Sequence, residues 1–428
     1  SVKGRQVSKV LIVPPDFTRF HSNAGLITNY YYHYFENKGV IVDILPALGT
    51  HVKMTEEECR KMFGDIPYDK FIYHNWREDV VKIGEVPASY LNEISEGLWN
   101  EKVDVEINKL FLDESYDLIL SIGQVVPHEV VGMANHAKNL FVGCGGKSMI
   151  NSSHMLGAVY GIERIMGKDF TPVRKLFDYA FEHFLAHRPV LFVLTVTSNG
   201  EEGINTHGLF IGEKRKVLEE AIKLSLEINF TALDKPIKKC IVYLDEEEFK
   251  TTWLGNKAVY RTRMAIADGG ELIVLAPGVT RFGEDLGVDA LIRKYGYVGR
   301  MKVLDYFNNN QDLKDNMSVA AHLIHGSNDG RFSTTYAVKK ISKEEIEKVG
   351  FIPADFDELY KKYFFYKHDI TTSISKCYKS FDFDNAQNFI KYLGYIHGIY
   401  DSNYNAYWDK NHIWINAITS NFKCIPKY

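Results

Sequence analysis

Lys9-Val10-Leu11-Ile12-Val13-Pro14-Pro15-Asp16-Phe17-Thr18-Arg19 is the stretch from which the fold is read. The apolar run Val10–Val13 is too short for the hydrophobic region of a signal peptide and reads as a first strand. It breaks at Pro14-Pro15 and delivers a polar cluster, Asp16-Phe17-Thr18-Arg19. Next comes a helical stretch, Asn23–Lys38, with aromatics at Tyr30, Tyr31, Tyr34 and Phe35. Ile41–Leu45 is a second strand, and Thr55-Glu56-Glu57-Glu58 opens a helix with a capping-box pattern. Leu118–Ile122 is another strand. This β-α-β-α rhythm predicts an α/β fold with a largely parallel sheet covered by helices. Farther on, Val190–Ser198 reads as a strand ending in the turn Asn199-Gly200, with Gly208–Ile211 returning beside it.

A chain of 428 residues is long for one core and comfortable for two. The break is expected at Asp234-Lys235-Pro236, after a helix over Glu213–Leu226. The expected organisation is therefore a catalytic and cofactor-binding domain over 1–234 and a second α/β domain over 235–391. An aromatic tail over 392–428 is expected to pack back on the body, with an active-site cleft between the domains. In the second domain, Lys238–Leu244 and Glu271–Ala276 read as strands. Asn256–Asp268 reads as a helix stopped by Gly269-Gly270.

With 45% hydrophobic and 25% charged residues the composition is that of an ordinary globular protein. A net charge of −4 gives no electrostatic reason to expect nucleic acid or an anionic membrane. No apolar run approaches the length of a membrane span, so the expected location is the cytoplasm. Five scattered cysteines without a CxxC pair argue against a disulfide framework and a cysteine-bound zinc. They read as buried, reduced thiols, with Cys144 set apart for its place near the candidate site.

In open α/β sheets ligands gather beyond the carboxyl ends of the strands. Three clusters here follow strands: Asp16 to Arg19, Gly49-Thr50-His51, and Gly123 to His128. Histidine is the residue type suited to removing and supplying a proton at neutral pH, which makes His51 and His128 candidates. Lys138 is a candidate covalent tether, and His154 a candidate imidazole ligand for nickel, copper or zinc. Arg19 and Lys257 are candidate carboxylate clamps, and Asp16 a candidate partner for a histidine or a hydroxyl. The turn Gly143-Cys144-Gly145-Gly146-Lys147-Ser148 lacks P-loop spacing. His183/His187 and His322/His325 lack the zinc-protease glutamate and read as ordinary helix histidines.

Taken in order, these pieces resemble the nickel-dependent lactate racemase family. The matching residues are Asp16-x-Thr18-Arg19, then Ala47-Leu48-Gly49-Thr50-His51 with Met54-Thr55, then Gly123-x-x-x-Pro127-His128. Gly132, Lys138, Gly143 and His154 follow, with Lys257 and Gly269-Gly270 in the second domain. The resemblance implies a racemase or epimerase that inverts C2 of a 2-hydroxy acid by reversible hydride transfer. It implies nickel held by a pyridinium bis-thiocarboxylate-type mononucleotide, a nickel-pincer nucleotide, attached covalently to Lys138. His154 would complete the metal's plane, and His51, His128 and Asp16 would be catalytic. Thr18, Gly132 and Gly143 would line the cofactor, while Arg19 and Lys257 would hold the substrate carboxylate. Enzymes that mature the cofactor would be partners.

The family's Ser-Gly-Gly before the lysine is here Ala134-Asn135-His136, so a side chain from Asn135 or His136 is expected to intrude on the cofactor. Leu254 and Val52 replace a glutamine and an arginine. A larger or more polar acid than lactate, such as a sugar acid, is therefore expected, with Arg281, Asp329 and Arg331 as contacts. Two other classes fit the same residues: a divalent-metal hydrolase or lyase, and a non-catalytic protein that closes on a small acid.

Overall fold

A computed structural model describes residues 7–364 except 201–202, 234 and 247–248, together with the short strands Trp408–Asp409, His412–Asn416 and Cys424–Pro426. The chain divides into two compact units, Ser1–Phe230 and Thr231–Tyr428. The division falls four residues before the expected break, because Thr231–Leu233 pairs with Cys424–Pro426 and so belongs to the second unit. Most of the expected tail, 392–428, lies outside the described residues.

In the first unit β1 (Lys9–Val13) leads to α1 (Ala24–Glu36), β2 (Ile41–Ile44) and α2 (Glu56–Phe63). An antiparallel pair, β3 (Val80–Val86) and β4 (Val103–Asn108), flanks α3 (Ala88–Ile94). β5 (Leu118–Gln124) runs into a two-residue hairpin, β6 (Pro127–His128) with β7 (Gly132–Met133). Helices α4 (Ala137–Phe141), α5 (Lys147–Tyr160), α6 (Ile162–Ile165) and α7 (Pro172–Phe184) follow. The unit closes with β8 (Val190–Gly200), β9 (Gly203–Gly212) and α8 (Lys216–Asn229).

The main sheet has the order β2-β1-β5-β8-β9. Its first four strands are parallel and β9 is an antiparallel edge. β8 includes Asn199-Gly200, where the sequence suggested a turn, and Gly200 pairs with Gly203 at the start of β9. Side chains alternate across the sheet. Val10, Ile12, Ile44, Leu118, Leu120 and Ile122 share one face with Tyr32 and Phe35 of α1 and Met62 and Phe63 of α2. The capping box forms at α2, where the Thr55 hydroxyl accepts from Glu58 N and the Glu58 carboxylate from Thr55 N.

The second unit is built on a six-stranded sheet. β11 (Ile237–Tyr243), β12 (Ile266–Ala276), β13 (Phe332–Val338), β14 (Ile352–Asp355) and β16 (His412–Asn416) are parallel, and β15 (Trp408–Asp409) is antiparallel. β10 (Thr231–Leu233) pairs with β17 (Cys424–Pro426) outside it. The helix expected over Asn256–Asp268 is shorter, Lys257–Thr262, after a single turn over Thr252–Gly255. Gly269-Gly270 does not end it. Both glycines lie within β12, where the pairing slips from Ile237↔Ile266 to Lys239↔Glu271. Gly269 takes φ +73° there, and its N–H donates to the Arg331 carbonyl at 2.6 Å. A glycine read as a helix stop is here a kink inside a strand.

Leu120 is fully buried in β5, the strand next to which the candidate site forms. Leu120→Ala is expected to lower stability by about 2–5 kcal/mol, the usual range for such a truncation. Chemical denaturation checks this, and a loss under about 1 kcal/mol would mean that the sheet is not the core of the unit.

Candidate active site

Strands β1, β2 and β5 are parallel neighbours, so the loops leaving their carboxyl ends emerge at one edge of the sheet. The first loop carries Asp16, Thr18 and Arg19, the second Thr50 and His51, the third His128. These side chains line a cavity of ≈ 240 Å³ in the first unit. Lys138 on α4, Gly143 just beyond it and His154 on α5 line the same space.

Asp16 is buried and makes the firmest polar contacts. Its Oδ2 lies 2.5 Å from His51 Nδ1, and its Oδ1 accepts the Thr18 hydroxyl at 2.6 Å. Burial alone would raise this carboxyl. The bond and charge of His51, the Thr18 hydroxyl and the Arg19 charge outweigh it and hold the group below the ordinary carboxylate range. An ionised Asp16 accepts from Nδ1–H, which leaves His51 Nε2 as the basic nitrogen. His51 itself is well exposed, with 57% of its side chain accessible.

His128 has the opposite arrangement. Its Nδ1 accepts the Val130 N–H at 3.1 Å, so the proton of the neutral ring sits on Nε2. Two histidines, on the loops either side of the β1 loop, thus carry complementary tautomers, one with its lone pair on Nε2 and the other with its proton there. His154 is fixed by its own helix: Nδ1 lies 2.6 Å from the Ile150 carbonyl and donates to it. Burial pushes this imidazole below its ordinary pKa, against that bond and with help from the Lys138 charge. A neutral ring whose Nδ1–H is committed has Nε2 available as a metal ligand.

Lys138 is half-buried, on the short helix α4. Burial first, then the Arg19 cation, pushes its ammonium down to about 8. A fraction of the amine is therefore an unprotonated nucleophile near neutral pH. Gly143 couples this helix to the His51 loop, since its carbonyl accepts the Gly49 N–H at 2.8 Å. A Cβ at Gly143 would meet Asn139 O at 2.4 Å and Ala47 Cβ at 2.6 Å.

One expected site residue does not line this cavity, and another belongs to the second unit. Gly132 does not line the cavity: it lies in β7 at φ +95°, where a Cβ would meet the Lys168 carbonyl at 2.1 Å. Its glycine is a backbone requirement. Lys257 belongs to the second unit, at the start of the Lys257–Thr262 helix.

The expected intrusion from Asn135 or His136 does not occur. Asn135 covers Gly123, where a Cβ would meet its amide nitrogen at 2.1 Å. The His136 ring packs flat on Phe192 at 3.7 Å and lines a separate cavity. Cys144 is fully buried, its thiol pushed up by burial, and it takes no place in the candidate cavity. Arg281, Asp329 and Arg331 are committed within the second unit. Arg281 donates to the Glu284 carbonyl, Asp329 pairs with Arg263 at 2.9 Å, and Arg331 with Asp268 at 2.8 Å. His322 and His325 do share a helix, and both are buried. His322 is bonded on both nitrogens by Tyr260 and Tyr297 and stacked on Trp253, a packing role.

Sequence reasoning missed Asn139 and Ser153, which also line the cavity. Each is the immediate neighbour of a residue that was found. Asn139 spans the sheet edge, its amide donating to Val13 O and Ser121 Oγ at 3.3 and 3.1 Å.

An α/β unit with ionisable groups gathered at the carboxyl edge of a parallel sheet is the class of protein that the geometry defines. Residues 2–164 match the family model described as the lactate racemase N-terminal domain. The match bears out, over that stretch, the resemblance read from the motifs. Among solved structures, a protein from Thermotoga maritima is similar at 26% identity with a TM-score of 0.71, covering 84% of this chain and 90% of that one. The lactate racemase apoprotein from Thermoanaerobacterium thermosaccharolyticum shares the fold at 19% identity and a TM-score of 0.64, covering 84% and 82%. A search of curated proteins finds no match.

The lowered pKa of Asp16 fixes a pH dependence. A carboxyl whose folded value lies below its unfolded value of about 3.9 stabilises the fold fully above that value. The contribution is lost as pH falls through the folded value. The stability difference between the native chain and Asp16→Asn should therefore be largest above about pH 5 and shrink below pH 4. Urea denaturation across that range checks it; a difference that stays constant would show that the carboxylate is not held ionised.

Proposed function

We propose that this protein is a racemase or epimerase of a 2-hydroxy acid, working with a nickel-pincer nucleotide attached to Lys138. The observation that carries this reading is the convergence of Asp16, His51, His128, Lys138 and His154 on one cavity. The residues suit the group. Lys138 offers a partly neutral amine, and His154 a neutral imidazole with Nε2 available. Among the described residues no three His, Cys, Asp or Glu side chains could hold a metal ion together. Nickel would thus depend on soft donors of the nucleotide, with His154 completing the set. Bound, the group supplies an acceptor for the hydride of C2.

The chain's own residues do the rest. Arg19, which forms no ion pair among the described residues, offers a forked donor for the substrate carboxylate. Lys257 is proposed as a second carboxylate contact. His51, oriented by Asp16, takes the hydroxyl proton from one configuration at Nε2. His128, lining the same cavity, is assigned the matching proton transfer for the other configuration. Running the reaction backwards exchanges their roles, as an interconversion of mirror forms requires.

Leu254 in place of a glutamine removes one polar contact of the family pattern, so an acid other than lactate is proposed, a sugar acid for instance. Cys59 and Cys144 are buried free thiols, in keeping with a cytoplasmic setting. No described helix is long and apolar enough to cross a membrane. Cofactor-maturing enzymes are the proposed partners. A metal hydrolase is less well supported, since it needs several protein ligands around one ion.

Protein from a host able to make the cofactor should carry a mass adduct that peptide mapping places at Lys138, with nickel by metal analysis. Lys138→Ala should carry none. His51→Ala and His128→Ala should keep adduct and nickel but lose about 10²–10⁴-fold in inversion of 2-hydroxy acids. Full activity in both histidine variants, or an adduct at another residue, would overturn the reading.

A further inference from the structure

The segment 127–138 carries both His128 and Lys138, and its backbone is under visible constraint. Asn135 stands at φ +69°, and His136 at φ +58° with ψ −134°, a conformation that residues with a side chain rarely adopt. Such strain persists only where the surroundings enforce it. Here the start of α7 does so. The Thr171 hydroxyl donates to the Val131 carbonyl at 2.7 Å. Arg174 Nη2 donates to the Met133 carbonyl at 2.5 Å and to the Asn135 carbonyl at 3.2 Å. Alternate carbonyls of one short loop are thus held by a single helix turn. The two grips are joined, since Thr171 Oγ1 also accepts the Arg174 N–H at 3.1 Å.

Arg174 is an unusual residue for a merely structural post. It is fully buried, and its Nε and Nη1 have no hydrogen-bond partner. A buried guanidinium with unmatched donors is disfavoured by desolvation, and an apolar side chain would fill the space more cheaply. What distinguishes it is its target: the carbonyls that immediately precede the helix bearing Lys138.

We propose that Arg174, backed by Thr171, is a positioning residue that sets the placement of Lys138 relative to His128 by clamping the carbonyls of Val131, Met133 and Asn135. It rests on the reading of Lys138 as the tether, and it adds a residue to which neither motif nor cavity lining points. Clamped, the strained turn at Asn135-His136 is the only route into α4, so the amine enters the cavity from one fixed origin. Released, the turn would relax toward ordinary backbone angles, and Lys138 would lose its register with His128.

The test compares the native chain with Arg174→Met, Arg174→Lys and Thr171→Val. Hydrogen exchange followed by mass spectrometry should show the 131–138 peptide at least tenfold faster in R174M, with other peptides of the first unit within twofold. Reductive methylation at pH 9.5 should label Lys138 at least threefold faster in R174M, measured against the exposed Lys214 as internal reference. R174K, which keeps the charge and one donor, should restore at least half of both effects; a purely structural role predicts no such selective, rescuable change. Should R174M fail to fold, T171V is read in the same way, with at least a threefold rise in exchange over 131–138. Unchanged local exchange and labelling in a folded variant would overturn the proposal. In protein from a cofactor-making host, R174M should carry less than one-tenth of the native adduct at Lys138. If the native chain carries no adduct, the cofactor reading fails, while exchange and labelling still decide the role of Arg174.

Discussion

Backbone hydrogen bonds that seat β1 between β2 and β5 in parallel register oblige three chain segments to leave the sheet at the same edge. Every other feature of the candidate site depends on that pairing. Val13, Ile44 and Gln124 end their strands side by side, and the loops beyond them carry Asp16, His51 and His128. An antiparallel arrangement of the same strands would send one of these loops to the opposite end of the unit. The apolar face made by Val10, Ile12, Leu118 and Leu120 against α1 and α2 holds the register, because a slip of one residue would turn that face to solvent.

On this frame, chemical differentiation comes from hydrogen bonds rather than from residue type. His51 and His128 are the same side chain with opposite proton placement. A carboxylate faces Nδ1 in one, and a backbone N–H faces Nδ1 in the other. His154 is set by a third kind of partner, the carbonyl one helical turn behind it. Three imidazoles in one cavity are thus committed by their neighbours to two proton placements, Nδ1–H in His51 and His154 and Nε2–H in His128.

Lys9–Val13 and the Thr55 capping box were read correctly because each is a local pattern: a short apolar run, and a hydroxyl three residues from a carboxylate. Gly269 was misread because glycine marks a break without saying which kind, and the slip in β12 depends on pairing with β11. Asn135 and His136 were expected to intrude because they replace glycines beside Lys138. Instead they adopt the glycine-like backbone and turn their side chains toward Gly123 and Phe192. Arg174 escaped notice altogether, since nothing local separates a buried arginine on a helix from a solvated one.

The sequence by itself determined the alternation of strands and helices, and the identity and order of the groups that gather at the sheet edge. Those are properties of nearest neighbours and of spacing along the chain. Only the tertiary structure decided that Asp16 reaches His51 across 35 positions, that Gly132 does not line the cavity, and that Arg174 grips the loop ahead of Lys138. Each of these turns on which side of a folded backbone a side chain faces and on what water has been excluded from around it. Neither quantity exists until the distant segments have packed.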